Sequence, residues 1–280
     1  MTDTPRRDTE AGWGDLTTMN QKLKTIMKPL NILRSVLLTF LSLTAPALDA
    51  AEPAAEAKPA AQGKHASSIP APRVEKWWFA LQAERIGDMA EKDIDLLMIG
   101  DSITHGFDSV GAKYWKEVFE PRKALNLGAG GDLTQHVLWR LEHLPKPKKD
   151  PKGAVLLIGT NNIGWGSDTP KQAADGIQTI VQKLQQLYPT TRILVLAVFP
   201  RRVNPDHPHR KQINEINSLL PDLLKDLKNV SLLDIGPKFL DEKGILAKEI
   251  APDTTHLSEK GFEIWTRALE PELKKLLGEQ

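Results

Sequence analysis

The chain contains no cysteine. Disulfide bridges, thiolate metal sites and a cysteine nucleophile are therefore excluded. The compartment stays open, because a chain of 280 residues can bury a core that needs no covalent staples. An excess of either charge is also missing: 37 Lys and Arg stand against 36 Asp and Glu, a formal net charge of +1. A nucleic-acid groove needs a basic field, so nucleic acid is not expected as a partner. Long apolar runs are scarce. The apolar stretch from Ser35 to Ala45 falls short of the roughly 20 residues a membrane-spanning helix requires, so no stable membrane span is expected. What remains is ordinary for a folded soluble protein, 40% hydrophobic and 26% charged, with length for one large domain or two small ones.

The N-terminal quarter reads as processing sequence and tether. Residues 1–26 are polar and carry neither a helical nor a strand period. Lys28 and Arg34 then precede the apolar stretch, and small residues follow it, with Ala45-Pro46-Ala47 as a cleavage site. A basic start, a short apolar centre and a small-residue exit are the parts of a secretory signal, which predicts a leader over 1–47 and a secreted or periplasmic protein. Translation starting at Met19 or Met27 would account for the extra residues ahead of the signal. Residues 48–72, rich in Ala, Pro, Glu and Lys, bury too little apolar surface to offset their ordering entropy and are expected to form a disordered linker.

From residue 73 to 280 apolar runs alternate with amphipathic stretches. Strands are expected at 96–99, 124–127, 154–158, 193–199 and 230–233, predominantly apolar runs of the kind buried in parallel sheets. Helices are expected at 74–90, 132–144, 170–187, 210–227 and 258–277; Asp132 is read as the N-cap of the second, and Pro170 opens the third. The tryptophans Trp77 and Trp78 in the first helix are read as packing residues. Strands joined by helical crossovers pair in parallel, so the spacing predicts one α/β domain, a three-layer α/β/α sandwich around a five-stranded parallel sheet.

In such a sheet the loops after the strands meet at one edge, where open α/β folds bind their ligands. Those loops carry Gly100-Asp101-Ser102, Gly130-Gly131-Asp132, Gly159-Thr160-Asn161-Asn162 and Pro200-Arg201-Arg202, and Asp253-Thr254-Thr255-His256 precedes the last helix. A serine needs a base to become a nucleophile. His256 is the candidate base, and Asp253, three residues earlier, can fold back to its ring and fix the tautomer. The backbone N–H groups of Ser102 and Gly131 and the side-chain amide of Asn161 are the candidate oxyanion donors, with Asn162 a competing choice. His105 lies one helical turn after Ser102, a poor position for a triad base. Asp206, His207 and His209 are spaced like a metal cluster but read as a solvated loop, so no metal is expected. Gly128-Ala129-Gly130 approaches a dinucleotide fingerprint, but Leu133 stands where its third glycine belongs.

These four blocks, Gly-Asp-Ser at 100–102, Gly-Gly-Asp at 130–132, Gly-Thr-Asn-Asn at 159–162 and Asp-x-x-His at 253–256, resemble in order those of the SGNH (GDSL) hydrolase superfamily. The run from Ala124 to Asp132, continuing to Val137-Leu138-Trp139-Arg140-Leu141, is most like the catalytic subunits of platelet-activating-factor acetylhydrolases. The resemblance implies a flavodoxin-like arrangement of the sheet. It also implies Ser102 as nucleophile, His256 and Asp253 as its partners, Ser102, Gly131 and Asn161 as the oxyanion hole, no cofactor, and a homodimer.

The expected function is an exported serine esterase that hydrolyses short-chain acyl esters, acetyl above all, of glycans or small lipids. A glycan-binding module without turnover and an acyltransferase to a sugar acceptor are the alternatives. Trp165, just after the asparagine block, is expected either to wall the substrate pocket or to serve packing. Arg201 and Arg202 are expected at the rim, either meeting an anionic substrate or solvated. The rim sequence holds no long apolar lid, which favours short acyl groups.

Overall fold

The computed structural model describes residues 65–280. The expected leader and most of the expected linker lie outside the described residues. Five strands, β1 (Leu96–Gly100), β2 (Ala124–Gly128), β3 (Gly153–Leu157), β4 (Arg192–Leu196) and β5 (Val230–Leu233), form one all-parallel sheet in the order β2-β1-β3-β4-β5. The helices that matter for the site are α1 (Lys76–Glu91), α2 (Ser102–His105), α3 (Thr134–Glu142), α4 (Thr160–Gly164), α5 (Pro170–Leu187), α6 (Pro208–Leu224) and α7 (Glu259–Leu277).

Side chains alternate across a strand, and both faces here are apolar. Leu97, Ile99, Leu156, Ile193 and Val195 pack with Val137, Leu138 and Leu141 of α3 and with the apolar stripes of α5 and α6. Leu96, Met98, Val155, Leu157, Leu194 and Leu196 pack on the opposite side with Phe107, Phe119 and, from α7, Phe262 and Trp265. The result is the three-layer sandwich that the alternating runs predict. The strand order reverses direction between β1 and β3, so their carboxyl ends flank the switch point at which such sheets open a ligand crevice.

Three expectations shift. The packed chain starts earlier than residue 73. Ala66–Ser68 forms a 3-10 turn, Ser67 is fully buried, its Oγ donates to Gln172 O (3.0 Å), and its own carbonyl accepts from Thr134 Oγ1 (2.8 Å). Residues 65–72 are thus a strap over α3 and α5 rather than linker; one buried serine among Ala and Pro is too faint a signal to show this. The second expected helix starts at Thr134 with Leu133 at its N-cap, because the Asp132 carboxylate is turned inward for another purpose. Residues 102–122, between β1 and β2, run through α2 and a series of short helical turns, each too brief to carry a readable hydrophobic period. Of the two tryptophans read as packing, Trp78 is fully buried whereas Trp77 is 46% exposed.

Candidate active site

Ser102 is the first residue of α2, directly off the end of β1. Asp101 is the N-cap, its Oδ1 accepting the Ile103 N–H at 2.9 Å. The Ser102 N–H, in the first turn, has no intrahelical acceptor and is free for an outside one. Gly100 is needed for closeness rather than for an unusual backbone angle. Its φ lies outside the left-handed region, but a Cβ there would collide with Thr104 Oγ1 and the Leu157 carbonyl. Any side chain at 100 would push α2, and with it Ser102, off the sheet edge.

His256 and Asp253 come from the loop before α7. The imidazole Nε2 is 2.8 Å from Ser102 Oγ, and its Nδ1 is 2.6 Å from Asp253 Oδ2. A continuous hydrogen-bonded path therefore joins side chains 154 positions apart in sequence. Asp253 also organises its own loop, its Oδ1 accepting the Thr255 N–H (3.0 Å) and the His256 N–H (2.7 Å). Partial burial works to raise its pKa, but these bonds, led by the one from the His256 ring, outweigh that and hold the carboxyl below its ordinary range. Thr254 takes a left-handed φ of 68°, rare for a branched residue. It is held there by its N–H on Ala251 O (2.9 Å) and by Arg202 N–H on its carbonyl (2.7 Å). Ser258, the N-cap of α7, fixes the far end of the loop. The His256 and Asp253 side chains are 51% and 57% exposed, so the site is an open rim.

Gly131 and Asn161 lie on the same edge. The loop after β2 is tied to β1 by Ala129 N–H on Gly100 O (3.1 Å). Gly131 adopts φ +74°, and its N–H takes no partner among the described residues. Asn161, in the first turn of α4, donates one amide hydrogen to Asp132 O (3.1 Å), which fixes its side chain and leaves the second hydrogen available. Asn162 is fully engaged elsewhere: its Nδ2 donates to Thr134 Oγ1 (3.1 Å) and Asp168 Oδ2 (2.8 Å), and its Oδ1 accepts the Thr134 N–H (3.3 Å). Of the two asparagines, only Asn161 has a donor to spare.

Below this surface lies a buried polar frame. Asp132 accepts from Trp78 Nε1 (2.7 Å) and Arg140 Nε (2.8 Å). Arg140 Nη2 reaches Leu127 O and Gly100 O, so one guanidinium ties the ends of β1 and β2 to the Gly131 loop. Burial raises the Asp132 pKa, while Arg140 and Trp78 favour its charged form. Asp101, directly under the Ser102–His256 pair, is fully buried, and desolvation pushes its carboxyl up to about 7. Its Oδ2 has no partner among the described residues.

The expectation that Arg201 meets substrate is corrected. It is 8% exposed and turns inward, its Nη1 donating to Thr160 O (2.7 Å) at the start of α4. Desolvation lowers the pKa of its guanidinium. Its work is to brace the Asn161 turn from beneath. Trp165 is 54% exposed and leans over Gly131, where a Cβ would meet its ring at 3.1 Å. His207 caps α6, its Nδ1 accepting the His209 N–H (3.1 Å). Arg140 is a further residue of the site, and an arginine among Val137, Leu138 and Leu141 is a readable signal for it. Asp101 belongs to the Gly-Asp-Ser block, but nothing in that block marks its carboxyl as buried.

The GDSL-like lipase/acylhydrolase family profile matches residues 98–264, which takes in every block above. The chain belongs to this family, within the SGNH hydrolase superfamily, and is a carboxylic ester hydrolase. Among its relatives, the platelet-activating factor acetylhydrolase IB subunit alpha1 of Rattus norvegicus is 34% identical over 222 residues, covering 78% of this chain and 93% of that protein. The alpha2 subunit of the same species is 35% identical over 202 residues, 72% of this chain and 86% of the other. Among solved structures, Axe2, an acetylxylan esterase from Geobacillus stearothermophilus, superposes with a TM-score of 0.53 at 19% identity, covering 69% of this chain and 97% of its own, a likeness of fold.

Proposed function

We propose that this protein is an exported serine esterase that removes short acyl groups, acetyl above all, from glycans or small lipids. The observation that carries the reading is the hydrogen-bonded path Ser102 Oγ–His256 Nε2, His256 Nδ1–Asp253 Oδ2. In the proposed reaction Ser102 Oγ attacks the ester carbonyl as its proton passes to His256 Nε2. Asp253 keeps Nδ1 protonated and stabilises the imidazolium that forms. The carbonyl oxygen becomes an oxyanion facing the Ser102 and Gly131 N–H groups and the free amide hydrogen of Asn161. Each such donor is worth about 10²–10³ in rate. Collapse expels the alcohol, which takes the proton from His256. Water then attacks the acyl-serine, its proton going to His256, and a second collapse frees the carboxylic acid and returns the proton to Ser102.

The acetyl preference rests on the acetylhydrolase relatives and on a rim sequence without an apolar lid. Export rests on the basic, apolar and small-residue succession over 28–47. A glycan is favoured over a lipid because an exported enzyme meets glycans, and because the open rim offers Trp165 as a flat wall beside Gly131. The test compares wild type with Ser102→Ala on p-nitrophenyl esters of rising chain length, then on acetate release from acetylated glycans and acetylated lipids. The expected result is loss of roughly 10⁴–10⁶ in kcat in the variant, a rate falling with chain length, and acetate released from glycans. Full activity in Ser102→Ala would remove the serine mechanism, and an optimum at long chains would remove the acetyl preference.

A further inference from the structure

We propose that Arg73 is a positioning residue of the oxyanion hole, holding the Gly130–Gly131 peptide so that the Gly131 N–H faces the reacting oxygen. This rests on the serine-esterase reading and assigns a role to a segment outside its four motifs.

Arg73 Nη1 donates to Gly130 O at 2.7 Å, across 57 positions of sequence. Gly130 O and Gly131 N belong to one peptide group, and no peptide bond among the described residues is cis. Across a trans peptide the carbonyl and the N–H point in opposite directions, so a cation fixed on one side dictates where the other side points. Two adjacent glycines otherwise leave that peptide free to turn over, because neither has a Cβ to oppose the flip. The turned-over peptide would aim a carbonyl, not an N–H, at the oxyanion.

The guanidinium is held in place from every side. Its Nε and Nη2 bond the Glu75 carboxylate, the former at 3.2 Å, and the Val74 N–H braces that carboxylate at 3.0 Å. The Arg73 hydrogen bond draws the Glu75 carboxyl down to about 2, so the partner stays charged. The rings of Trp77 and Trp165 lie 5.3 and 5.8 Å from Arg73 Cζ. A Cβ on Gly131 would approach Nη1 to 2.6 Å, so the charge sits directly over the glycine. The arginine side chain is only 12% exposed, and Ala71 N–H on Gln135 O (3.1 Å) anchors the strap just before it. A charged donor on Gly130 O also polarises the peptide and strengthens the Gly131 N–H as a donor.

The experiment measures kcat and KM for an aryl acetate and its thionoacetate with wild type, Arg73→Met, Arg73→Lys and Ser102→Ala, with thermal midpoints for each. A thiocarbonyl sulfur is a weak hydrogen-bond acceptor and draws little from the hole. Arg73→Met should lower kcat on the acetate about 10²-fold with KM within about threefold, the size of one lost oxyanion donor. It should shrink the acetate-to-thionoacetate rate ratio by a similar factor. Arg73→Lys retains a donor for Gly130 O and should recover most of kcat and of the ratio. An equal loss on both substrates, or a kcat loss that Lys does not recover although the midpoint is normal, would overturn the role of Arg73. So would wild-type kcat in Arg73→Met; with Ser102→Ala inactive, the esterase reading survives that failure. Activity in Ser102→Ala would instead sink the esterase reading and this inference together.

Discussion

Replacing Asp101 by Asn isolates the cost of burying a carboxylate beneath the nucleophile. The Asp101 carboxyl stands at about 7 against an ordinary 3.8, raised chiefly by desolvation. Between those values the folded state binds a proton that the unfolded state has released. Stability therefore rises as pH falls through 7 toward 4, and above pH 7 the full penalty applies. At about 1.4 kcal/mol per pKa unit, the penalty is about 4 kcal/mol at pH 8 and between 1 and 2 kcal/mol at pH 5. Asn keeps the acceptor for the Ile103 N–H and has no charge to desolvate. Its amide hydrogens bring a fixed cost of about 1–3 kcal/mol if unpaired, but that cost is the same at both pH values and cancels in the comparison. Urea unfolding of wild type and Asp101→Asn at pH 8 and pH 5 should show the variant gaining about 2–3 kcal/mol relative to wild type at the higher pH. All other titrating groups are shared and drop out of the difference. A stability gap identical at the two pH values would refute the reasoning, because it would mean that the folded Asp101 is ionised at both, as it is in the unfolded chain.

Two further perturbations probe the frame and the hole. Arg140→Met leaves the Asp132 carboxylate buried without its ion partner and should cost about 3–5 kcal/mol in denaturant unfolding; a loss under 1 kcal/mol would mean that Asp132 is neutral or rescued by Trp78 alone. Asn161→Ala should lower kcat about 10²–10³-fold with little change in KM, and stopped-flow traces on an aryl acetate should show acylation and deacylation slowed together, since both steps pass through an oxyanion.

Most of the sheet was legible because a parallel strand in a three-layer sandwich is built mainly from apolar residues. Residues 96–99, 124–127 and 230–233 fall within or on the observed strands, and the helix at 170–187 was readable to the residue through Thr169, Pro170 and its stripe. The gathering of Ser102, Asp253 and His256 was legible for a different reason: loops after parallel strands must meet at one edge. What could not be read was whatever depends on where a polar side chain points. Asp132 has the chemistry of an N-cap and instead turns under the sheet to Arg140 and Trp78. Arg201 follows a strand and a proline as a rim residue would, yet its guanidinium folds back onto Thr160. Asn161 and Asn162 are chemically identical neighbours, and only the Thr134 and Asp168 partners of the second tell them apart. Arg73 sits at the end of a Pro-rich stretch, where a lone arginine carries no pattern at all.

Under the proposed mechanism, the exposure of the imidazole at 256 and its carboxylate bears on the fate of an acyl group carried by Ser102. With the imidazole and its carboxylate about half exposed, water reaches that ester along with any other hydroxyl compound that drifts to the rim. Partitioning then follows the relative abundance and nucleophilicity of the two. On that proposal the acid would be released in dilute solution, while a crowded sugar surface, dense in alcohols, would divert part of the flux into alcoholysis by the same residues.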